Sequence, residues 1–176
     1  YSDSVNTYTI TFNTNGGTTI APITGMFGSS VTAPANPKLS GYTFMWWEPE
    51  FPTKMPLDGT GLKAVWEANT WTLHTVEHYL VDLSGNYAVQ PDYTDELRWT
   101  TNTYTQATWR VIAWFTGKDI TQQIILWNGS TVVRVEYDRN VYTVTYDANW
   151  GSAVDSWTGK FGAEIPNKTT SRSWYD

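Results

Sequence analysis

The chain of 176 residues carries a formal net charge of −6 and contains no cysteine, 11 tryptophans and 11 tyrosines. Nucleic acids and anionic lipids are bound by clustered Lys and Arg, which this sequence lacks, so we expect neither kind of partner. The absence of cysteine excludes disulfides and thiolate metal sites. The longest uninterrupted apolar run is residues 111–115. A membrane-spanning helix needs roughly 18 to 20 apolar residues, so we expect no membrane insertion.

Strand signals follow one another along the chain. Apolar and polar residues alternate over 8–12, 62–66 and 133–137, which predicts strands with one buried face. Residues that tolerate positive φ are expected at the corners between strands. These corners are Asn15-Gly16-Gly17, Asp58-Gly59, Ser84-Gly85-Asn86 and Asn128-Gly129.

Two segments depart from the strand pattern. The prolines within 34–56 predict a loop, an edge strand or a short helix. Residues 93–101 are the best helix candidate, with Thr94 as a cap. The fold class is therefore predicted to be mainly β with little helix.

The sequence repeats itself near its end. Residues 142–147 match residues 8–13, and the match continues without a gap for about 25 residues. The same register aligns Phe27 with Phe161. Self-similarity of this kind predicts a modular array, which is usually selected for reach or multivalent contact. Boundaries are expected where the first strand pattern closes and where the repeat restarts, giving units 1–68, 69–139 and 140–176.

The first unit combines several motifs: the strand 8–12, the turn 15–17, Phe27-Gly28, the segment from Pro34 to Pro37, Gly41-Tyr42-Thr43-Phe44 with Trp47, and the strand 62–66. On these residues, positions 5–67 resemble the Listeria-Bacteroides repeat family, the internalin B-type repeat of bacterial surface proteins. The middle unit resembles a mucin-binding-protein-like repeat through residues 76–80, 82–87 and 129–140.

The resemblance implies tandem small β-grasp-like modules in secreted or cell-wall-attached proteins of the bacterial surface. It implies an adhesion or spacer role and no catalysis, and we expect no cofactor. Trp46 and Trp150 depart from the pattern, since Gly is usual before Trp47 and Gly16 stands at the position of Trp150. The second copy ends at Asp176, before its closing strand, so we expect strand-edge pairing through 140–176.

The sharpest enzyme-like motif is His74-Thr75-Val76-Glu77-His78, an H-x-x-E-H pattern typical of one zinc peptidase class. Zinc binding requires a helix here, whereas the surrounding residues favour a strand that would separate the imidazoles by roughly 13 Å. We therefore expect two surface histidines and no metal site. The Asp82–Asn86 and Asp147–Asn149 corners offer oxygen ligands for calcium, but we interpret them as turns capped by their own side chains.

The high number of tryptophans is the main feature of the composition that the predicted fold does not explain. Phe44, Trp47 and Trp66 stand at core positions of the family, and Trp46, next to an inward-pointing Trp47, should be exposed. Four tryptophans are candidates for ligand binding: Trp46, Trp109, Trp114 and Trp150. Exposed aromatic clusters are typical of contact surfaces.

Three functions compete. The leading hypothesis is a non-catalytic extracellular segment of a bacterial surface protein with an adhesion or spacer role, whose partner is a host or neighbouring-cell surface protein or glycan. The alternative is a carbohydrate-binding module that uses the exposed tryptophans. A β-rich hydrolase is supported only by scattered carboxylates, and no pair of them is singled out.

Overall fold

The computed structural model describes residues 6–171. Within that range the chain forms ten strands and no helix, which confirms the prediction of a mainly β fold. The described residues therefore contain no membrane-spanning helix. The strands are β1 Thr7–Asn13, β2 Ile23–Met26, β3 Tyr42–Glu48, β4 Thr60–Ala68, β5 Thr72–Leu80, β6 Tyr93–Trp99, β7 Phe115–Gly117, β8 Val132–Arg139, β9 Val141–Val144 and β10 Trp157–Lys160.

The first four strands form one sheet in the order β2-β1-β4-β3. Its central pair, β1 and β4, runs parallel, and the outer strands pair antiparallel with them. One face covers a core of buried residues, namely Ile10, Trp47, Met55, Leu62 and Ala64. Phe44 and Trp66 pack against this core, as predicted for the family positions, and the Trp66 indole donates to the carbonyl of Thr14 at 3.1 Å.

A β-bulge in β3 determines which face of the sheet its aromatic side chains lie on. The register with β4 shifts between Phe44 and Trp46, which leaves Met45 as the extra residue. A regular strand turns residues three apart to opposite faces, but the bulge lets both Phe44 and Trp47 face the core. Their ring centroids are 5.2 Å apart. Trp46 is consequently exposed, as predicted.

Strands β5 to β8 form a second sheet in the order β6-β5-β8-β7, again with a parallel central pair, β5 and β8. This order repeats that of the first sheet, strand for strand. Its core contains Val76, Ala107, Val133, Val135 and Tyr137.

The prediction of a helix over 93–101 was wrong, because Tyr93–Trp99 is strand β6. Helix propensity is a weak determinant that tertiary pairing overrides. Here Asp95 of β6 accepts a hydrogen bond from the buried His78 of β5 at 3.0 Å. That contact requires β6 to lie extended along the edge of the sheet.

The last two strands reproduce the first hairpin. Tyr8 lies opposite Gly25 in β1–β2, and their repeat equivalents Tyr142 and Gly159 lie opposite each other in β9–β10. The following corner is also shared. Ser29 N–H donates to the Met26 carbonyl at 3.1 Å, and the equivalent bond from Ala163 to Lys160 measures 3.0 Å.

The chain divides into two compact units. Of the described residues, the first contains 6–74, 98–104 and 124–131, and the second contains 75–97, 105–123 and 132–171. The strands of each sheet nevertheless fall within one of the predicted modules 1–68, 69–139 and 140–176. The module boundaries and the β-grasp-like character remain predictions.

Candidate functional site

The first unit contains a cleft of about 680 Å³ that sequence analysis did not find. We call it the aromatic cleft. Its lining includes the ends of β3 and β4, the 69–73 segment, Arg98 and the 127–129 turn. A volume of this size lies within the usual range for small-molecule sites, roughly 300 to 1,000 Å³.

Two exposed indoles, Trp71 and Trp127, line the aromatic cleft, and Trp71 is 75% exposed. The Arg98 guanidinium lies 5.8 Å from the centre of the Trp71 ring and donates to the Trp71 carbonyl at 3.4 Å. This contact restrains one face of the Trp71 ring. The base of the Trp127 side chain packs directly against the backbone of Gly41. A Cβ added to Gly41 would lie only 2.5 Å from Trp127 Cβ.

Polar groups of the cleft are fixed by their own hydrogen bonds. Asn69 accepts a bond from the Thr43 hydroxyl at 3.0 Å through its Oδ1. Asn128 Oδ1 accepts from the backbone N–H and hydroxyl of Ser130 at 3.1 and 2.7 Å. In both residues the side-chain carbonyl faces an internal donor, which leaves the NH₂ end to serve as the donor towards a ligand.

The boundary segment 68–70 is a wall of this cleft. Asn69 N–H donates to the Gly41 carbonyl, and Thr101 N–H donates to the Asn69 carbonyl, both at 2.9 Å. These bonds rigidify the segment between β4 and β5. No pattern in the sequence links Trp71 with Trp127, because the two residues are far apart in the chain and meet at the cleft only after folding.

The predicted ligand-binding tryptophans lie in different settings. Trp46 belongs to the first unit, and Trp109, Trp114 and Trp150 belong to the second. Among the described residues no ring contact links any two of these four. Ligand binding by each of them remains a prediction.

Trp109 is a fixed, exposed ring. Its indole lies against the backbone of Gly117, where any added Cβ would collide with it. The indole N–H donates to the Lys118 carbonyl at 2.7 Å. The ring therefore presents one face outward in a defined orientation.

Trp114 is partly committed to packing. Its ring stacks on Phe161 at 5.1 Å between centroids and 16° between planes, and meets Tyr142 edge-on at 6.2 Å. About half of its surface is exposed. Trp150, by contrast, is 92% exposed at a turn corner.

The expectation of two surface histidines was wrong, because His74 and His78 are both buried. The strand prediction for these residues is confirmed, since both lie in β5. Neither ring nitrogen of His74 has a hydrogen-bond partner among the described residues. Burial lowers the pKa of His74, and the backbone of Thr72 opposes that shift in part.

His78 is the centre of a buried network in the second unit. Arg110 N–H donates to the Tyr137 hydroxyl at 2.8 Å, and that hydroxyl lies 2.7 Å from His78 Nδ1. The Asp95 carboxylate can only accept, so the N–H of the neutral imidazole lies on Nε2, and Nδ1 accepts the proton of the Tyr137 hydroxyl. Asp95 also pairs with the Arg110 guanidinium at 3.3 Å. This network joins three strands.

In the two turns considered as calcium sites, Asp82–Asn86 and Asp147–Asn149, the aspartate side chains accept hydrogen bonds from the backbone of the same turn. Asp82 Oδ1 accepts the backbone N–H of Asn86 at 2.8 Å, and Asp147 Oδ1 accepts that of Asn149 at 2.9 Å. Within residues 6–171, no group of three His, Asp or Glu side chains is placed to hold a metal ion.

Comparison with known proteins identifies part of the chain. Residues 8–54, which contain β2, β3 and all of β1 but Thr7, match the Listeria-Bacteroides repeat domain family, and this confirms the resemblance over those residues. The chain is also similar to two proteins of Evansella cellulosilytica. It is 25% identical to a putative Gly-rich membrane protein over 94% of the chain and 20% of the relative, and 24% identical to a putative membrane protein over 92% and 26%. The chain thus spans about a quarter or less of the length of these relatives.

Proposed function

We propose that the chain is a non-catalytic repeat segment of an extracellular bacterial surface protein, with an adhesion or spacer role. The observation that carries the proposal is the hairpin β1–β2, which recurs as β9–β10 in the same register and with the same corner. A hairpin conserved in this detail within one chain is the unit of an array. In this proposal modules 1–68 and 140–176 are Listeria-Bacteroides-type repeats, and 69–139 is a mucin-binding-protein-like module.

Three further observations support the proposal. The family match covers β1 to β3 of the first sheet, and both relatives are described as membrane proteins, which favours an envelope or extracellular location. The middle sheet repeats the strand order of the first, as expected for stacked modules of related fold. The most enzyme-like residue, His78, is hydrogen-bonded on both ring nitrogens inside the fold.

The location can be tested with an antibody raised against the chain, applied to intact bacteria that produce the protein. Labelling before permeabilisation is the expected result. Labelling that appears only after permeabilisation would rule out a surface role. Deletion of residues 1–176 from the gene should then weaken attachment of the cells to a host or neighbouring-cell protein or glycan.

A second candidate, carbohydrate binding, is favoured by the aromatic cleft. Trp71 and Trp127 offer apolar faces on which a pyranose ring can stack, and the amides of Asn69 and Asn128 can donate to sugar hydroxyls. Arg98 is balanced by Glu67 in the lining, and the chain carries a net charge of −6. The class of ligand that fits is therefore a neutral oligosaccharide.

Titration with cellohexaose, chitohexaose, laminarihexaose and maltohexaose, followed by tryptophan fluorescence, tests this candidate. Binding by at least one hexaose is expected, with Trp71→Ala and Trp127→Ala each weakening it by about tenfold, or 1.4 kcal/mol. Trp46→Ala is the matched control within the same unit. If Trp46→Ala abolished binding and Trp71→Ala did not, the site would lie at the tryptophan predicted from sequence.

A further inference from the structure

The two copies of the repeated hairpin differ in what covers their shared phenylalanine. In the second copy, Trp114 stacks on Phe161 and contacts Tyr142. Trp114 precedes β7 and therefore belongs to the segment before the repeat. The second copy is thus docked, through this aromatic pair, on the module that comes before it in the chain.

Backbone hydrogen bonds complete this joint. Asn140 N–H donates to the Trp114 carbonyl at 2.9 Å, and Phe161 N–H donates to the Asn140 carbonyl at 2.8 Å. Arg139 donates to the Phe161 carbonyl through Nη1 and to the Val81 carbonyl through Nε, both at 2.9 Å. The joint is a specific arrangement of rings and hydrogen bonds within the second unit.

The first copy presents the same surface with its phenylalanine exposed. Phe27, the equivalent of Phe161, is 63% exposed, and Met26 beside it is also exposed. Among the described residues no aromatic ring stacks on Phe27. The hairpins of the two copies have the same strand register. The copies therefore differ in whether an aromatic ring stacks on the phenylalanine, and not in the hairpin itself.

We propose that Phe27 is the docking point for a preceding module of the same array, one that carries an aromatic corner like Trp114. The inference rests on the proposed repeat array and adds the contact by which its modules join. The occupant is a module of the 69–139 type, because that is what covers the equivalent ring at the other end of the chain. Trp114 has a positive φ of 71°, which is uncommon for a bulky residue, and its ring is placed by its contacts with Phe161 and Tyr142.

A tandem chain tests the proposal. Residues 1–139 are joined directly to residues 6–176, which places the junction in the register found at Asn140. Since the chain contains no cysteine, an introduced pair is the sole thiol pair. Cysteines replace Trp114 of the first copy and Phe27 of the second, and a short bismaleimide is added. Trp114→Cys with Phe161→Cys in the natural chain is the positive control.

The expected result is an intramolecular cross-link at a rate similar to that of the positive control. The matched control pairs Trp109→Cys of the first copy with the same Phe27→Cys, and it should react at least about tenfold more slowly, since among the described residues the ring that stacks on Phe161 is Trp114 and not Trp109. Equal rates for the two pairs, or cross-links only between separate chains, would overturn the proposal. The second outcome would assign Phe27 to contact with another copy.

The cysteine-free tandem chain provides a second measurement that requires no substitution of the rings. Nuclear Overhauser contacts between Phe27 and Trp114 of the first copy should appear, as they should between Phe161 and Trp114 in the natural chain. Their absence from a folded tandem chain would also overturn the proposal. Surface labelling of intact cells is independent of this joint, so failure here leaves that test of the array unaffected.

Discussion

Trp150 stands in a backbone conformation that suits glycine. Its φ is 72°, and that of the preceding Asn149 is 44°. The equivalent residues of the first copy, Gly16 and Asn15, have φ values of 95° and 48°. The turn geometry expected from the repeat is therefore retained although a bulky residue replaces glycine, and the left-handed conformation of such a residue costs about 1–2 kcal/mol.

Trp150→Gly should stabilise the protein. Relief of the strained φ gains about 1–2 kcal/mol, and the extra chain entropy of glycine in the unfolded state offsets about 0.5–1 kcal/mol, so a net gain of about 0.5–1 kcal/mol is expected. Urea denaturation measures the change. Trp46→Gly, at an exposed strand position, is the control and should lower the free energy of unfolding. A loss of stability in Trp150→Gly would show that the indole makes compensating contacts.

The Tyr137 hydroxyl lies in the second core and has two hydrogen-bond partners, Arg110 N–H and His78 Nδ1. Tyr137→Phe leaves the N–H of Arg110 and Nδ1 of His78 without their partner inside the fold. A buried group deprived of its partner costs about 1–3 kcal/mol, so the free energy of unfolding should fall by that amount. Tyr146→Phe removes an exposed hydroxyl bonded to Pro166 and should change it by less than about 0.5 kcal/mol. Equal effects in the two variants would contradict the assignment of the network.

His74 makes stability depend on pH. Burial lowers its pKa below the ordinary value of 6.5, so the unfolded chain binds a proton more readily than the folded one. Stability is therefore full above pH 6.5 and declines as the pH falls below it. Glu136, whose pKa is lowered by hydrogen bonds from Arg134 and Lys118, adds its own loss only below about 4.5.

Denaturation midpoints recorded between pH 5 and 7.5 measure the effect of His74. His74→Leu cannot be protonated and removes two nitrogens that have no partner. Its stability should be nearly constant across this pH range. An unchanged slope in His74→Leu would mean that another group titrates.

At the scale of elements, alternation along the chain predicted the strands of the two parallel central pairs, except that β5 was inferred from its β-branched residues. The edge strand β6 was missed because most of its residues are exposed, so its sequence carries no buried stripe. The bulge at Met45 was also missed, since a single inserted residue leaves no compositional signal. The aromatic cleft was beyond prediction because its tryptophans are far apart in sequence and converge only after folding.

The turn before β3 is held against two later segments of the first unit. Gly41 has a φ of 81°, and a Cβ placed on it would lie 2.5 Å from Trp127 Cβ and 2.8 Å from Thr101 Cγ2. Gly85 has a similar φ of 91°, but nothing lies within 4 Å of the added Cβ. The two positions separate backbone strain from close packing.

Gly41→Ala should therefore destabilise the protein more than Gly85→Ala. Both variants incur the left-handed conformation, about 1–2 kcal/mol, and only Gly41→Ala adds overpacking, about 1–3 kcal/mol. Urea denaturation gives both values, and Gly41→Ala should in addition change the fluorescence of Trp127. Equal losses would mean that Trp127 and Thr101 move aside at little cost.

At the scale of the whole molecule, the predicted modules and the compact units divide the chain differently. The sequence places a boundary at residue 68, whereas the first compact unit also includes 98–104 and 124–131. Within that unit, the 98–104 segment is bonded to Asn69 through Thr101 and to Ile125 through Asn102, both at 2.9 Å. The predicted boundary implies that residues 98–104 and 124–131 unfold with the 69–139 module. The compact units imply instead that they unfold with residues 6–74.

Ile10→Ala in the full chain distinguishes them by amide hydrogen exchange. Ile10 is fully buried in the first core, so its truncation should weaken that unit by about 2–5 kcal/mol. The amide of Ile125, which donates to the Thr103 carbonyl at 2.9 Å, should then exchange faster, while that of Val133 keeps its protection. Val135→Ala, in the second core, should produce the reverse pattern. If Ile125 instead follows Val133 in both variants, residues 124–131 belong energetically to the 69–139 module, and the boundary predicted from the sequence is the one at which the chain unfolds.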